Sequence, residues 1–145
     1  MQRGRFATAA AVVALTTSCV TASAPTTEDW CIGPPLTGDL LDRARSCMRV
    51  QAAHAYLVAA KRKALDIWVL PERIPAHRCA VVQFALARDG TFSSPPALVV
   101  GDNALMNASA VQALKESAPF DPIPEDALCL ANLPLWSRFE NPELR

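Results

Sequence analysis

His77 and Cys79 stand two residues apart. On a strand, positions two apart share a face. A thiol beside an imidazole is the start of a nucleophile and base pair. That chemistry also needs a third group to orient the imidazole and donors to hold an oxyanion, and the sequence marks neither. A disulfide at Cys79 would also consume the nucleophile. The chain therefore reads as a non-enzyme, without catalytic residues and without a cofactor. His54 lies off the apolar stripe of its helix and reads as a solvated residue. Two histidines and scattered cysteines match no zinc spacing. Asp121, Glu125 and Asp126 read as acids opening a short helix, where the helix dipole favours them, rather than as a cation site. No metal site is expected.

The cysteines carry a different chemistry. The chain has 5 of them, Cys19, Cys31, Cys47, Cys79 and Cys129. Cys19 closes an N-terminal stretch with the three parts of a secretory signal. Arg3 and Arg5 form the charged part, Phe6 to Leu15 the apolar part, and Thr16, Thr17 and Ser18 the small-residue part. The apolar run is far below the roughly 20 residues that span a bilayer as a helix. Thr16-Thr17-Ser18-Cys19 resembles a bacterial lipoprotein signal, in which the cysteine is lipidated, although Thr16 stands where leucine is usual. Cleavage after Ala22 or Ala24 is the alternative. A lipid on Cys19 would tether the protein to a membrane surface without a transmembrane helix. Either route removes Cys19 from the thiol pool. Cys31, Cys47, Cys79 and Cys129 remain, an even set that reads as two disulfides in an oxidising compartment. Three pairings are open. Cys31 with Cys47 closes a short local loop and is the favoured one, which leaves Cys79 with Cys129.

Composition narrows the class. The chain has 145 residues, 14 Lys and Arg against 14 Asp and Glu, and a net charge of zero. Loss of Arg3 and Arg5 with the signal leaves the mature part slightly acidic. No basic patch points to nucleic acid, and no small-molecule substrate is indicated. Residues 1–22 form the signal, 23–36 a flexible tether and loop, and 37–145 one domain.

The elements that must position these residues follow from periodicity. Leu40, Leu41, Ala44, Cys47 and Met48 fall at helical spacing. Ala53, Tyr56, Leu57, Ala60, Ala64, Ile67 and Trp68 form the stripe of a longer helix over Ala52 to Val69, with a break near Arg49 to Ala52 and Pro71 as a stop. Cys79 to Arg88 alternates as a strand, with Val82, Phe84 and Leu86 towards the core. Asp89-Gly90 is a hairpin turn. Its partner strand, Thr91 to Val100, contains Pro95-Pro96 and so belongs at an edge or is interrupted. Asn107 is the expected cap of a helix over Ala108 to Ala118, with Val111 and Leu114 on its buried stripe. Glu125 to Asn132 reads as a short helix and Leu135 to Phe139 as a last strand.

From Ala52 to Pro142 this order resembles the C-terminal domain of the TonB and TolA proteins of bacterial energy transducers. The resemblance rests on the helix ending in Trp68 with Pro71 after it, on Arg88-Asp89-Gly90, on the Ala-rich helix, and on Ala118-Pro119-Phe120 through Pro124. It implies an α+β fold, a three-stranded antiparallel sheet with helices on one face, here with an N-terminal helical extension. It implies that the last strand lies beside the first and keeps a free edge. It also implies a disulfide from the first strand, for which Cys79 fits one half. In such domains a free edge accepts an extended segment of a partner as one more strand. The expected partner-binding residues are Leu135, Trp136, Ser137, Arg138 and Phe139, and the expected partners are proteins of the periplasm and cell envelope. Trp136 has two readings, an interface anchor beside Arg138 or a ring packed under the N-terminal helix. The transducers' membrane helix and long spacer have no counterpart here, so the binding module is carried over and the motor function is not. The alternative is a structural envelope lipoprotein of the same fold without a peptide-binding role.

Overall fold

The structure is a computed structural model, and it describes residues 31–141. The signal, Cys19 and the tether up to Trp30 lie outside the described residues, as do residues 142–145. The elements in chain order are helix α1 (Gly38–Met48), helix α2 (Gln51–Ile67), strand β1 (Cys79–Leu86), strand β2 (Phe92–Gly101), helix α3 (Ala104–Ser117), a 3-10 helix (Glu125–Leu130) and strand β3 (Leu135–Glu140). The sheet order is β2-β1-β3 and both pairings are antiparallel. The fold is α+β, with helices packed against the sheet.

β1 is central because its sequence is apolar on both faces. Val82, Phe84 and Leu86 meet the helices, while Cys79 and Val81 lie against a smaller cluster on the outer face with Val99, Val100 and Trp136. β2 is an edge strand, as its prolines require. Gln83 pairs with Ala97 and Ala85 with Ser94, so one extra residue bulges out of the ladder at Pro95-Pro96. The turn between them depends on two residues. The Asp89 carboxylate accepts from the Thr91 hydroxyl (2.6 Å) and amide (3.0 Å), and these bonds hold its pKa below the usual value. Gly90 has φ +86°, and a Cβ there would sit 2.2 Å from the Phe120 carbonyl oxygen. Both conditions demand glycine.

On the helical face, Phe84, Phe92 and Phe120 form an aromatic cluster with centroids 6.0–6.3 Å apart. Trp68 closes the other end edge-on to Phe139 at 5.2 Å, and its indole N–H donates to Ser109 Oγ at 3.0 Å. Val82, Phe84, Leu86 and Leu114 are buried together, as periodicity predicts, with Tyr56, Trp68 and Val111 half-buried against them. α2 buries only the small residues Ala53 and Ala64, which lets its backbone approach closely.

Three expectations are corrected. α3 starts one turn before Ala108, capped by Asn103, whose Oδ1 accepts from Met106 N–H at 3.0 Å. Asn107 lies within the helix, its Oδ1 packed so close to Gly101 that a Cβ there would be 2.0 Å away. Burial of Met106 at 0% exposure explains the earlier start, because the extra turn covers the core. Residues 31–36, expected as part of a flexible tether and loop, are tied to the domain, because Cys31 is buried and bonded to Cys79. The disulfides join Cys31 to Cys79 and Cys47 to Cys129, with Cα separations of 6.4 and 5.5 Å, instead of Cys31 to Cys47 and Cys79 to Cys129. The reason is the two faces of the sheet. Cys79 points to the outer face with Val81, and Cys31 lies there with it. Cys47 joins the helical-face core beside the 3-10 helix that carries Cys129. Neighbours in sequence are separated by the sheet, so each cysteine pairs within its own layer.

Candidate protein-binding edge

β3 pairs with β1 from Glu140↔Cys79 to Leu135↔Phe84. Antiparallel ladders alternate, so residues whose N–H and C=O face the neighbour alternate with residues that face away. Two bonds fix the phase. Asn141 N–H donates to Arg78 C=O at 2.9 Å, which turns even-numbered β1 residues towards β3. Ala87 N–H donates to Thr91 C=O at 2.7 Å, which turns odd-numbered ones towards β2. Leu135, Ser137 and Phe139 therefore bond to β1, and the backbone groups of Trp136, Arg138 and Glu140 point to the outer edge. Among the described residues no strand pairs with that edge.

The five sequence-predicted binding residues divide accordingly. Leu135, Ser137 and Phe139 send side chains into the helical face and are 7%, 4% and 0% exposed, so they serve the core. Trp136 and Arg138 are half-buried on the outer face. The Trp136 indole donates to Gln83 Oε1 of β1 at 3.1 Å, and Arg138 pairs with Glu140. A Cβ on Gly33 would lie 3.2–3.3 Å from the Trp136 ring. Trp136 thus packs under the N-terminal segment, not under a helix.

That segment must pass from one face of the sheet to the other. Cys31 sits on the outer face and α1 on the helical face. Gly33 lies over Trp136, and Leu36 lies beside Trp136 and Ser137, which puts the crossing at β3. Residues 32–37 form a strap that leads into α1, held at one end by Cys31–Cys79 and, through Cys47 of α1, at the other by Cys47–Cys129. No backbone hydrogen bond joins residues 32–36 to β3 among the described residues.

Under the strap lies a groove of about 360 Å³. Met48 of α1, Leu57 and Val58 of α2, and Leu133 and Leu135 at the start of β3 make it mainly apolar. His54 and Lys61 also line it, and no acid does. Ser137 Oγ reaches it buried and without a hydrogen-bond partner. Sequence reasoning missed this groove. Its signal was present in Met48 and Val58, apolar helix residues that remain 45% and 49% exposed.

The other sites considered from sequence are not assembled. The sulfur of Cys79 is bonded to Cys31, so it is not a thiol beside His77. His77 bonds through its amide to Asn141 C=O at 3.2 Å. His54 is exposed on α2. Glu125 pairs with Arg88, and the Asp121 carbonyl accepts from Tyr56 Oη at 2.7 Å. Among the described residues no group of three or more His, Cys, Asp or Glu could hold a metal ion, and no helix is long and apolar enough to cross a membrane. No protein-family model matches the chain, and no curated protein matches it in sequence.

Proposed function

We propose that this chain is a non-catalytic protein-binding module of the bacterial cell envelope, similar to the TonB and TolA C-terminal domains. It acts in the periplasm, with a lipid on Cys19 as its tether to a membrane. A partner adds one extended segment to β3 and so extends the sheet. The edge of β3 carries this reading: its outward backbone groups at Trp136, Arg138 and Glu140 face no strand among the described residues, and an apolar groove adjoins it at Trp136. Two disulfides agree with an oxidising compartment.

A second reading, the structural envelope lipoprotein, has one observation in its favour. The strap crosses the β3 edge at Trp136 and covers part of it. Capture from detergent-solubilised envelopes separates the two. Immobilised wild-type protein retains a partner that the Arg138→Pro variant, lacking an outward amide, does not. Equal capture by both forms, with the variant folded, would favour the structural role.

A further inference from the structure

We propose that the Cys47–Cys129 disulfide is a thiol-exchange site for dithiol reductants, and that opening it releases α1 from the groove beside β3. The two disulfides differ in access. Cys31 and Cys79 are each 1% exposed, so an attacking thiolate reaches neither sulfur. Cys47 is equally buried, but Cys129 is exposed on the 3-10 helix. An open cleft of about 480 Å³ surrounds this bridge, lined by Asp42, Arg43, Ser46, Val50 and Leu128. Exchange requires an approach to one sulfur, and the cleft provides it at Cys129.

The same disulfide is the main attachment of α1. Cys47 is the one residue of that helix that is buried. Thr37 gives its N-terminus no side-chain cap, and Leu40 and Met48 stay exposed. An isolated helix of 11 residues is marginal in water. Without the bridge, little holds α1 against its neighbours. Yet Ala44 and Met48 of α1 form one wall of the groove, and the strap leading into α1 crosses β3. Cys31–Cys79 would keep the far end of the strap in place, so the arm swings rather than detaches.

A reductant thiolate attacks Cys129 Sγ and expels Cys47 as a thiolate, which takes a proton from water. The second thiol of the reductant resolves the mixed disulfide and frees Cys129. The reductant leaves as a disulfide, and two electrons have passed to the protein.

Limited treatment of the mature chain with dithiothreitol, followed by alkylation and peptide mapping, tests the site. Cys47 and Cys129 should label while Cys31 and Cys79 remain joined. Amide exchange on the same sample should show lost protection over residues 38–48 and retained protection in β1 and α3. Binding of an apolar dye such as anilinonaphthalene sulfonate should rise as the groove opens. A Cys47→Ala/Cys129→Ala variant should show the same losses without reductant. Reduction of Cys31–Cys79 first, retained protection in α1, or loss of protection throughout the domain would each overturn the proposal. Its consequence for partner binding, greater capture after reduction, rests on the edge-binding reading. The dye and exchange arms need no partner, so their failure sinks the latch alone. An opened latch with unchanged capture overturns the coupling of the latch to partner binding instead.

Discussion

A proline placed at Ser137 and one placed at Arg138 should have opposite consequences, although the two positions are adjacent. Ladder alternation gives the Ser137 N–H to the carbonyl of Val82, its partner on β1. Proline removes that donor. The lost bond is worth about 1 kcal/mol net, and a buried carbonyl left unpaired costs about 1–3 kcal/mol more. Val82 is 0% exposed, so water cannot replace the donor. The sum is roughly 2–4 kcal/mol, a large part of the ~5–15 kcal/mol that typically holds a domain. At Arg138 the N–H points away from β1, the arrangement in which edge strands accept proline. The loss there is the Arg138–Glu140 pair, a partly exposed ion pair worth ~0–1 kcal/mol. Urea denaturation followed by circular dichroism, with both disulfides intact, measures each change. Ser137→Pro should lower the midpoint clearly more than Arg138→Pro. Equal losses, or a larger loss at Arg138, would mean that the outward set is Leu135, Ser137 and Phe139, and the edge assigned here would be wrong.

Other expectations concern the core, the caps and pH. Phe84→Ala, which empties the centre of the aromatic cluster, should cost about 3–5 kcal/mol in the same assay, and a loss below about 1 kcal/mol would contradict the packing. Asn103→Ala should cost about 1 kcal/mol through the lost cap bond to Met106, measured by thermal or chemical unfolding. Burial, and secondarily the charge of Asp121, raise the Tyr56 pKa above 10.0. A raised folded-state pKa gives stability that is whole below pH 10.0 and is lost as pH rises beyond it, so Tyr56→Phe should flatten the alkaline limb of a stability–pH curve.

Much of the fold is legible in local pattern. Val82, Phe84 and Leu86 alternate with Val81, Gln83 and Ala85, and that period places β1 and its faces. Asp89-Gly90 places the hairpin, and Pro95-Pro96 assigns β2 to an edge. The break between the first two helices falls at Arg49 and Val50, within the stretch where the pattern weakens. Long-range facts were not legible. Pairing of cysteines depends on which face of the sheet each reaches, and separation along the chain does not encode that. The start of α3 turned on two asparagines four apart, both able to cap, and only the burial of Met106 decides between them. The groove needed three distant segments, α1, α2 and the start of β3, and no single segment carries its signature. The Trp136 ring has its cover in Gly33, more than a hundred positions away; the reading that packed it under the N-terminal part holds in outline, with the strap in place of a helix.

We propose that a partner lengthens the sheet at β3. Amide hydrogen exchange, read residue by residue with and without the partner captured from envelopes, tests it most directly. Strand addition predicts new protection at Trp136, Arg138 and Glu140, the outward amides, with little change at Leu135, Ser137 and Phe139, which already bond to β1. Protection confined to other surfaces, or a bound partner that leaves those three amides as fast as before, would contradict it.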